Sequence, residues 1–309
     1  MSIIERVVNL LGTVPQAPKK PSAAVGGGND TLRPNLIERA VRGNDPRFDF
    51  PDRGMAIKSE ARAIPEPTSG RSARTLKFDL NRLRRQNIIV PGGDRTPIAE
   101  CFRRIKRPIL ANVASAEFGT AANLVMVTSP QENTGKTFCA INLAISIAME
   151  LDRTVLLVDV DLAKPSIPSV FGVNVERGLM DLLLDRNVEL ADVLCRTNIE
   201  KLSLLAAGKK QPNATELLAS ETMRELLREL AERYQDRIVV FDSPPLLKAS
   251  EAAVLASRMG QIVMVVEALK TTGSELKDAL SRIESCNRVS LLLNKGEVPG
   301  SYYFGGYGS

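Results

Sequence analysis

The sequence predicts an α/β fold, a doubly wound domain on a mostly parallel sheet. Three observations predict it. Runs rich in Val, Ile and Leu, at residues 124–128, 154–160, 237–242 and 261–267, lack the polar alternation of half-exposed strands. Strands covered on both faces read this way, and parallel sheets are covered on both faces. Segments of helical periodicity separate the runs, so strand and helix alternate along the chain. Two of the runs reach an aspartate, Asp159 and Asp242. The carboxyl ends of the strands are where a doubly wound sheet holds its ligand.

The elements follow in order. Residues 1–95 are dominated by Pro, Gly, Ser and charge and read as a low-complexity, largely disordered N-terminal region. Within it, an amphipathic pattern covers residues 3–11, and weaker helical patterns cover 36–42 and 78–86. Residues 1–98 hold 17 Lys and Arg against 10 Asp and Glu, while the remainder is near neutral. Such a segment suits an anionic surface; a solvated tail is the plainer reading, and no nucleic-acid partner is expected.

The folded domain is expected over residues 96–295. Residues 97–113 read as a helix with Ile98, Cys101, Ile105 and Ile109 on its apolar face. Arg103, Arg104, Lys106 and Arg107 make the opposite, basic face. Strand 124–128, helix 136–150 and strand 154–160 follow, then helix 179–184, strand 202–206 and helix 215–234. Strand 237–242, helix 249–257, strand 261–267, helix 272–286 and strand 290–294 complete the pattern. Residues 296–309 read as a flexible tail carrying Tyr302, Tyr303 and Tyr307.

Composition excludes several classes. Hydrophobic residues make up 44% and Trp is absent, so the core must be aliphatic. Four scattered cysteines and no histidine exclude a Cys/His zinc site and suit a reducing cytoplasm. No run reaches the ~18 apolar residues of a membrane span, and Glu5 and Arg6 interrupt the first apolar stretch. The expectation is a soluble protein that meets a membrane only through partners.

The chemistry lies in five stretches. After the strand at 124–128, a loop ends Gly135-Lys136-Thr137 and opens an Ala- and Ile-rich helix. Backbone N–H groups in such a loop face phosphate oxygens. Lys136 would reach the β- and γ-phosphates of a nucleoside triphosphate, and Thr137 would hold Mg²⁺. Pro130 stands where the motif has its first glycine. Asn133 takes another glycine position, which Asn tolerates through its access to the left-handed region. Ser129, Asn133, Thr134, Gly135, Lys136, Thr137 and Phe138 are the candidate nucleotide-binding loop. Next, Asp159-Val160-Asp161 places two acids on the ligand edge, one for Mg²⁺ and one to accept a proton; capping of the next segment is the alternative. Then Asp242 ends an apolar strand, the arrangement of a metal-orienting carboxylate. Asn294 closes the last strand and would meet an adenine edge or serve turn chemistry. Clustered tyrosines on a tether are candidate phosphate acceptors.

Taken together, these features resemble the bacterial tyrosine kinases, P-loop proteins, over residues 96–309. The likeness is nearest to the tyrosine autokinases of exosortase-associated exopolysaccharide loci. Glu100 to Leu110, Lys136 to Ala144 and Val158 to Ser166 carry it. The resemblance implies ATP and Mg²⁺, with Lys136, Asp159, Asp161 and Asp242 as catalytic residues and Thr137, Asp159, Asp161 and Asp242 around the metal. It implies phosphorylation of Tyr302, Tyr303 and Tyr307 between subunits of a homo-oligomer. Glu100, Arg103 and Lys106 fall on the oligomerisation motif, with Lys in place of its final Arg. A membrane chain-length-determinant adaptor, a cognate phosphotyrosine phosphatase and a cytoplasmic location at the inner membrane complete the implication. The alternatives are a partition-type ATPase, whose signature lysine is here Gln131, and a nucleotide-binding regulator without kinase activity.

Overall fold

The computed structural model describes residues 74–93, 96–115, 120–210, 214–233, 236–284, 286 and 288–296. The helical patterns expected at 3–11 and 36–42 lie outside them, as do Tyr302, Tyr303 and Tyr307.

Two short elements and a long helix come first: β1 (Thr75–Leu76), α1 (Leu80–Arg85) and α2 (Pro97–Ala114). The doubly wound part then runs β2 (Leu124–Thr128), α3 (Lys136–Ala148), β3 (Thr154–Asp159), α4 (Ile167–Phe171), α5 (Leu179–Leu184) and α6 (Leu190–Val193). It continues β4 (Cys195–Thr197), β5 (Leu202–Leu205), α7 (Ala214–Ala219), α8 (Glu221–Arg233) and β6 (Arg237–Asp242). It ends α9 (Ser250–Ala256), β7 (Gln261–Glu267), α10 (Gly273–Ser281) and β8 (Val289–Asn294).

Local chemistry sets the boundaries. Thr96 Oγ accepts from the Ala99 N–H and Pro97 opens α2, both standard helix starts. Thr272 and Glu275 form a reciprocal capping box at α10. The helix expected over 215–234 is two helices, because Ser220 Oγ accepts from the Met223 N–H at 3.2 Å and starts a new one. The helix expected over 272–286 stops at Ser281, where Arg282 and Ile283 donate three residues back and tighten the last turn.

The sheet order is β1-β4-β5-β3-β6-β2-β7-β8. Six strands, β5 to β8 along that order, are parallel, as expected. β4 pairs antiparallel with β5, and β1 runs with β4. Strand residues alternate between two cores. Val125, Val127, Leu157 and Val240 face α3, α2 and the segment preceding α2. Met126, Leu156, Val158 and Phe241 face α5, α7, α8, α9 and α10. This two-sided cover explains the near-continuous apolar runs.

Two expectations change. The domain was expected to begin at residue 96, yet residues 74–90 are built into it. Leu76, Phe78, Leu83, Ile88, Ile89 and Val90 are all buried in the first core. The polar surroundings masked these few apolar positions. On α2, the inward face holds Phe102, Lys106 and Ile109. Lys106 therefore belongs to the inner face, where it reaches the C-terminal end of α3. Among the described residues no helix is long and apolar enough to cross a membrane.

Candidate nucleotide and metal site

The loop leaves the carboxyl end of β2 and is anchored at its base. Thr128 Oγ donates to the Pro244 carbonyl at 2.9 Å, and Leu246 N donates to Ser129 at 2.9 Å. Ser129 Oγ donates to the Gln131 carbonyl at 2.6 Å, which bends the chain into the turn. Two residues then take the left-handed region, Asn133 at φ 60° and Gly135 at φ 92°. Asn133 thus adopts a conformation natural to glycine, and its side chain is exposed. An added Cβ on Gly135 would overlap the Asn294 amide, so only glycine fits.

A clamp from the end of β8 holds the loop. Asn294 Nδ2 donates to the Thr134 carbonyl at 2.8 Å, and Lys295 Nζ donates to the Asn133 carbonyl at 2.6 Å. Glu267 pairs with Lys295 at 3.2 Å and so orients it. From the other side, Lys164 reaches Glu132 at 2.6 Å, and this contact draws the Glu132 carboxyl below its ordinary range. The Asn294 amide nitrogen thus donates to the loop and fixes its turn.

Parallel pairing brings the acids together. Asp159 and Asp242 are register partners on β3 and β6, and Val127 pairs with Asp242 from the other side. Lys136 and Thr137 begin α3 directly above this edge. Lys136 lies 3.9 Å from Asp161, just within ion-pair reach. Asp159 Oδ2 accepts from the Ser166 and Ile167 N–H groups at 3.0 and 3.1 Å. Ser166 also meets Thr137, hydroxyl to hydroxyl, at 3.1 Å. Phe138 turns its ring to Phe102 of α2, with centroids 6.4 Å apart, so its side chain serves the core.

Burial dominates the electrostatics. Asp159 and Asp242 are wholly buried and Asp161 nearly so. Burial pushes Asp159 well above the carboxylate range, the neighbouring Asp242 charge adds to this, and its two backbone donors oppose it. Burial lifts Asp242 from its ordinary 3.8 to about 7, against the nearby Thr137 hydroxyl and the Lys136 ammonium. Burial also raises Asp161, with Lys136 pulling it back.

The donor set fits a hydrated cation beside a polyphosphate. Asp159 Oδ1, both oxygens of Asp242 and Thr134 Oγ are buried without a hydrogen-bond partner. Such orphaned oxygens are rare unless a ligand completes them. Among the described residues no three acidic, Cys or His side chains form a self-sufficient metal cage. Magnesium suits this arrangement, because it keeps waters and shares its shell with substrate phosphates. Buried Cys139, its thiol pushed up to about 12 by desolvation, is an inert packing residue.

Loop, Asp159, Asp161 and Asp242 converge at one sheet edge, as the spacing anticipated. Glu100 and Arg103 lie together on the exposed side of α2 and pair with each other. Lys106 does not join them: its ammonium bonds the Ser146 carbonyl and Glu150, each at 2.6 Å. Sequence reasoning missed Ser166, whose only signal was the run Lys164-Pro165-Ser166 beginning three residues after Asp161. It also missed the Glu267–Lys295 clamp, which joins residues far apart in sequence.

Comparison with known proteins agrees with this geometry. The AAA domain family matches residues 124–291, more than half of the chain. The putative tyrosine-protein kinase EpsB of Ralstonia nicotianae is 35% identical over 60% of this chain and 24% of its own length. The putative tyrosine-protein kinase CapB of Staphylococcus aureus is 29% identical over 68% of this chain and 90% of its own. The chain thus spans about a quarter of one relative and nearly all of the other. The kinase domain of the Escherichia coli tyrosine kinase ETK superposes with a TM-score of 0.57 at 25% identity, covering 75% of this chain and 94% of that one. An AAA-type phosphate loop, carboxylates paired across β3 and β6, and these relatives together make the chain a member of the bacterial tyrosine-kinase family.

Proposed function

We propose that the chain is an ATP- and Mg²⁺-dependent protein-tyrosine autokinase that phosphorylates Tyr302, Tyr303 and Tyr307 between subunits of a homo-oligomer. The observation that carries this reading is the set of buried, partnerless oxygens on Asp159 and Asp242 beside Lys136 and Thr137. ATP supplies the phosphoryl group, and Mg²⁺ neutralises the charge that builds on it. Thr137, Asp159 and Asp242 would hold the cation directly or through water. The loop N–H groups and Lys136 would orient the phosphates. Asp161 stands at the rim, less buried than Asp159, and its raised proton affinity suits it to take the proton of an incoming phenol.

Each phosphotyrosine adds roughly −1.5 to −2 charges at neutral pH. Several around one assembly would repel, so the proposed cycle alternates assembly and dispersal, with a phosphatase resetting it. The proposal extends to control of exopolysaccharide export through a membrane adaptor at the cytoplasmic face, as in exosortase-associated loci.

Complementation tests the transfer between subunits. A Lys136→Ala chain and a chain with Tyr302, Tyr303 and Tyr307 changed to Phe are mixed with Mg-ATP. Label on the Lys136→Ala chain supports transfer in trans. ATP hydrolysis with no phosphotyrosine on either chain, or on wild type, would favour a switch ATPase.

A further inference from the structure

We propose that Arg82, in the segment preceding α2, is a positioning residue for Asp159, acting through α4; the inference rests on Asp159 serving the metal. α4 is a five-residue helix with two jobs at its two ends. At its start, the Ser166 and Ile167 N–H groups fix Asp159 Oδ2. Ser166 also meets the hydroxyl of Thr137. At its finish, Arg82 Nη2 donates to the Ser169 carbonyl at 3.2 Å.

The guanidinium occupies a made space. Gly172 ends α4 at φ 71°, and an added Cβ there would overlap the Arg82 guanidinium. A side chain at 172 is thus excluded both by backbone conformation and by Arg82. Phe78 lies flat on Phe171 of α4, with centroids 4.0 Å apart and rings 3° from parallel. Arg74 adds a bond to the Asn174 carbonyl at 3.0 Å, just past the helix.

The segment is itself held at two other points, so it can locate α4 rather than merely cover it. Asn198 brackets Phe78, accepting from its N–H at 2.9 Å and donating to its carbonyl at 3.0 Å. Ile89 N donates to Asn142 Oδ1 at 2.8 Å, and Asn142 lies within α3, the helix that the phosphate loop opens. The segment therefore spans from the Lys136–Thr137 helix to the helix that aims Asp159. Loss of the Arg82 contact leaves the C-terminal end of α4 without its polar tether, and Asp159 Oδ2 loses the fixed direction of its two donors.

The test uses the full chain and a fluorescent ADP analogue, titrated in EDTA and then against Mg²⁺. Wild type should bind more tightly with Mg²⁺. Arg82→Ala should raise the half-saturating Mg²⁺ about fivefold, the low end of coupling between linked sites. Its metal-free affinity should stay unchanged, and Arg82→Lys, which keeps a donor, should recover most of the loss. An unchanged Mg²⁺ midpoint in Arg82→Ala overturns the proposal. Equal loss of metal-free and Mg²⁺-bound affinity also overturns it, because that marks general loosening. Should Arg82→Ala not fold, Arg82→Met keeps the aliphatic stem and is read by the same criteria. Wild type showing no Mg²⁺ dependence would instead remove the metal role of Asp159 itself.

Discussion

Asp242 presents two carboxylate oxygens to the interior with no hydrogen-bond partner on either. A group whose proton affinity is raised in the folded state favours folding below its unfolded value and loses that contribution as pH rises through its folded one. Asp242 moves from 3.8 to about 7, so stability of the nucleotide-free protein should fall between about pH 4 and pH 7. Asp159 is raised in the same direction and deepens the trend. Asp242→Asn should therefore melt higher than wild type at pH 8 and lose the Mg²⁺-dependent gain in nucleotide affinity. Differential scanning calorimetry at pH 5 and pH 8 reads the first effect, where each kcal/mol is worth roughly 2–4 °C for a domain of this size. Asn133 makes a second prediction. At φ 60° it sits where a Cβ is strained, so Asn133→Ala should cost about 1–2 kcal/mol in urea unfolding. Asn133→Gly should be near neutral. Its left-handed conformation was legible in the sequence, because a glycine position filled by Asn keeps its backbone demand. The loop clamp by Lys295 was not legible, since nothing in a sequence announces which distant cation reaches a carbonyl.

Among the elements, α2 best separates what a pattern reveals from what packing decides. Its start and length follow from Thr96, Pro97 and apolar periodicity, and the helix matches its expected span to within a residue. Its inner face does not follow, because a lysine counts as polar in any periodicity. Lys106 goes inside since its ammonium finds the free carbonyl end of α3 and the Glu150 carboxylate. Cations near a helix C-terminus gain from its dipole as well. Lys106→Ala should lower unfolding free energy by about 1.5–3 kcal/mol, the range for a hydrogen bond to a charged group. Arg103→Glu touches only the exposed face with Glu100 and should leave stability unchanged. If α2 mediates assembly, Arg103→Glu shrinks the particle in light scattering while Lys106→Met does not. The parallel strands were readable because two-sided burial writes itself as unbroken Val, Ile and Leu. α4 and β4 were missed, being too short for any period to register.

For the whole molecule, the boundary of the folded domain lies earlier than the composition implied. Residues 74–90 contribute six buried apolar side chains to the first core. Each is worth about 1.5–3 kcal/mol when fully buried, and a domain's total stability is only about 5–15 kcal/mol. A chain beginning at residue 74 should fold, whereas one beginning at residue 96 should be soluble only in part or unfold at low urea. Circular dichroism of the two truncations reads this directly. The central claim is a phosphoryl transfer to tyrosine at the edge where β2, β3 and β6 bring Lys136, Asp159 and Asp242 together. Its most direct measurement is mass-spectrometric mapping of phosphotyrosine after incubation of purified wild type and Lys136→Ala with Mg-ATP. Wild type should carry label on Tyr302, Tyr303 and Tyr307, and Lys136→Ala should lose it. Equal label in both proteins, or none in wild type, would contradict it.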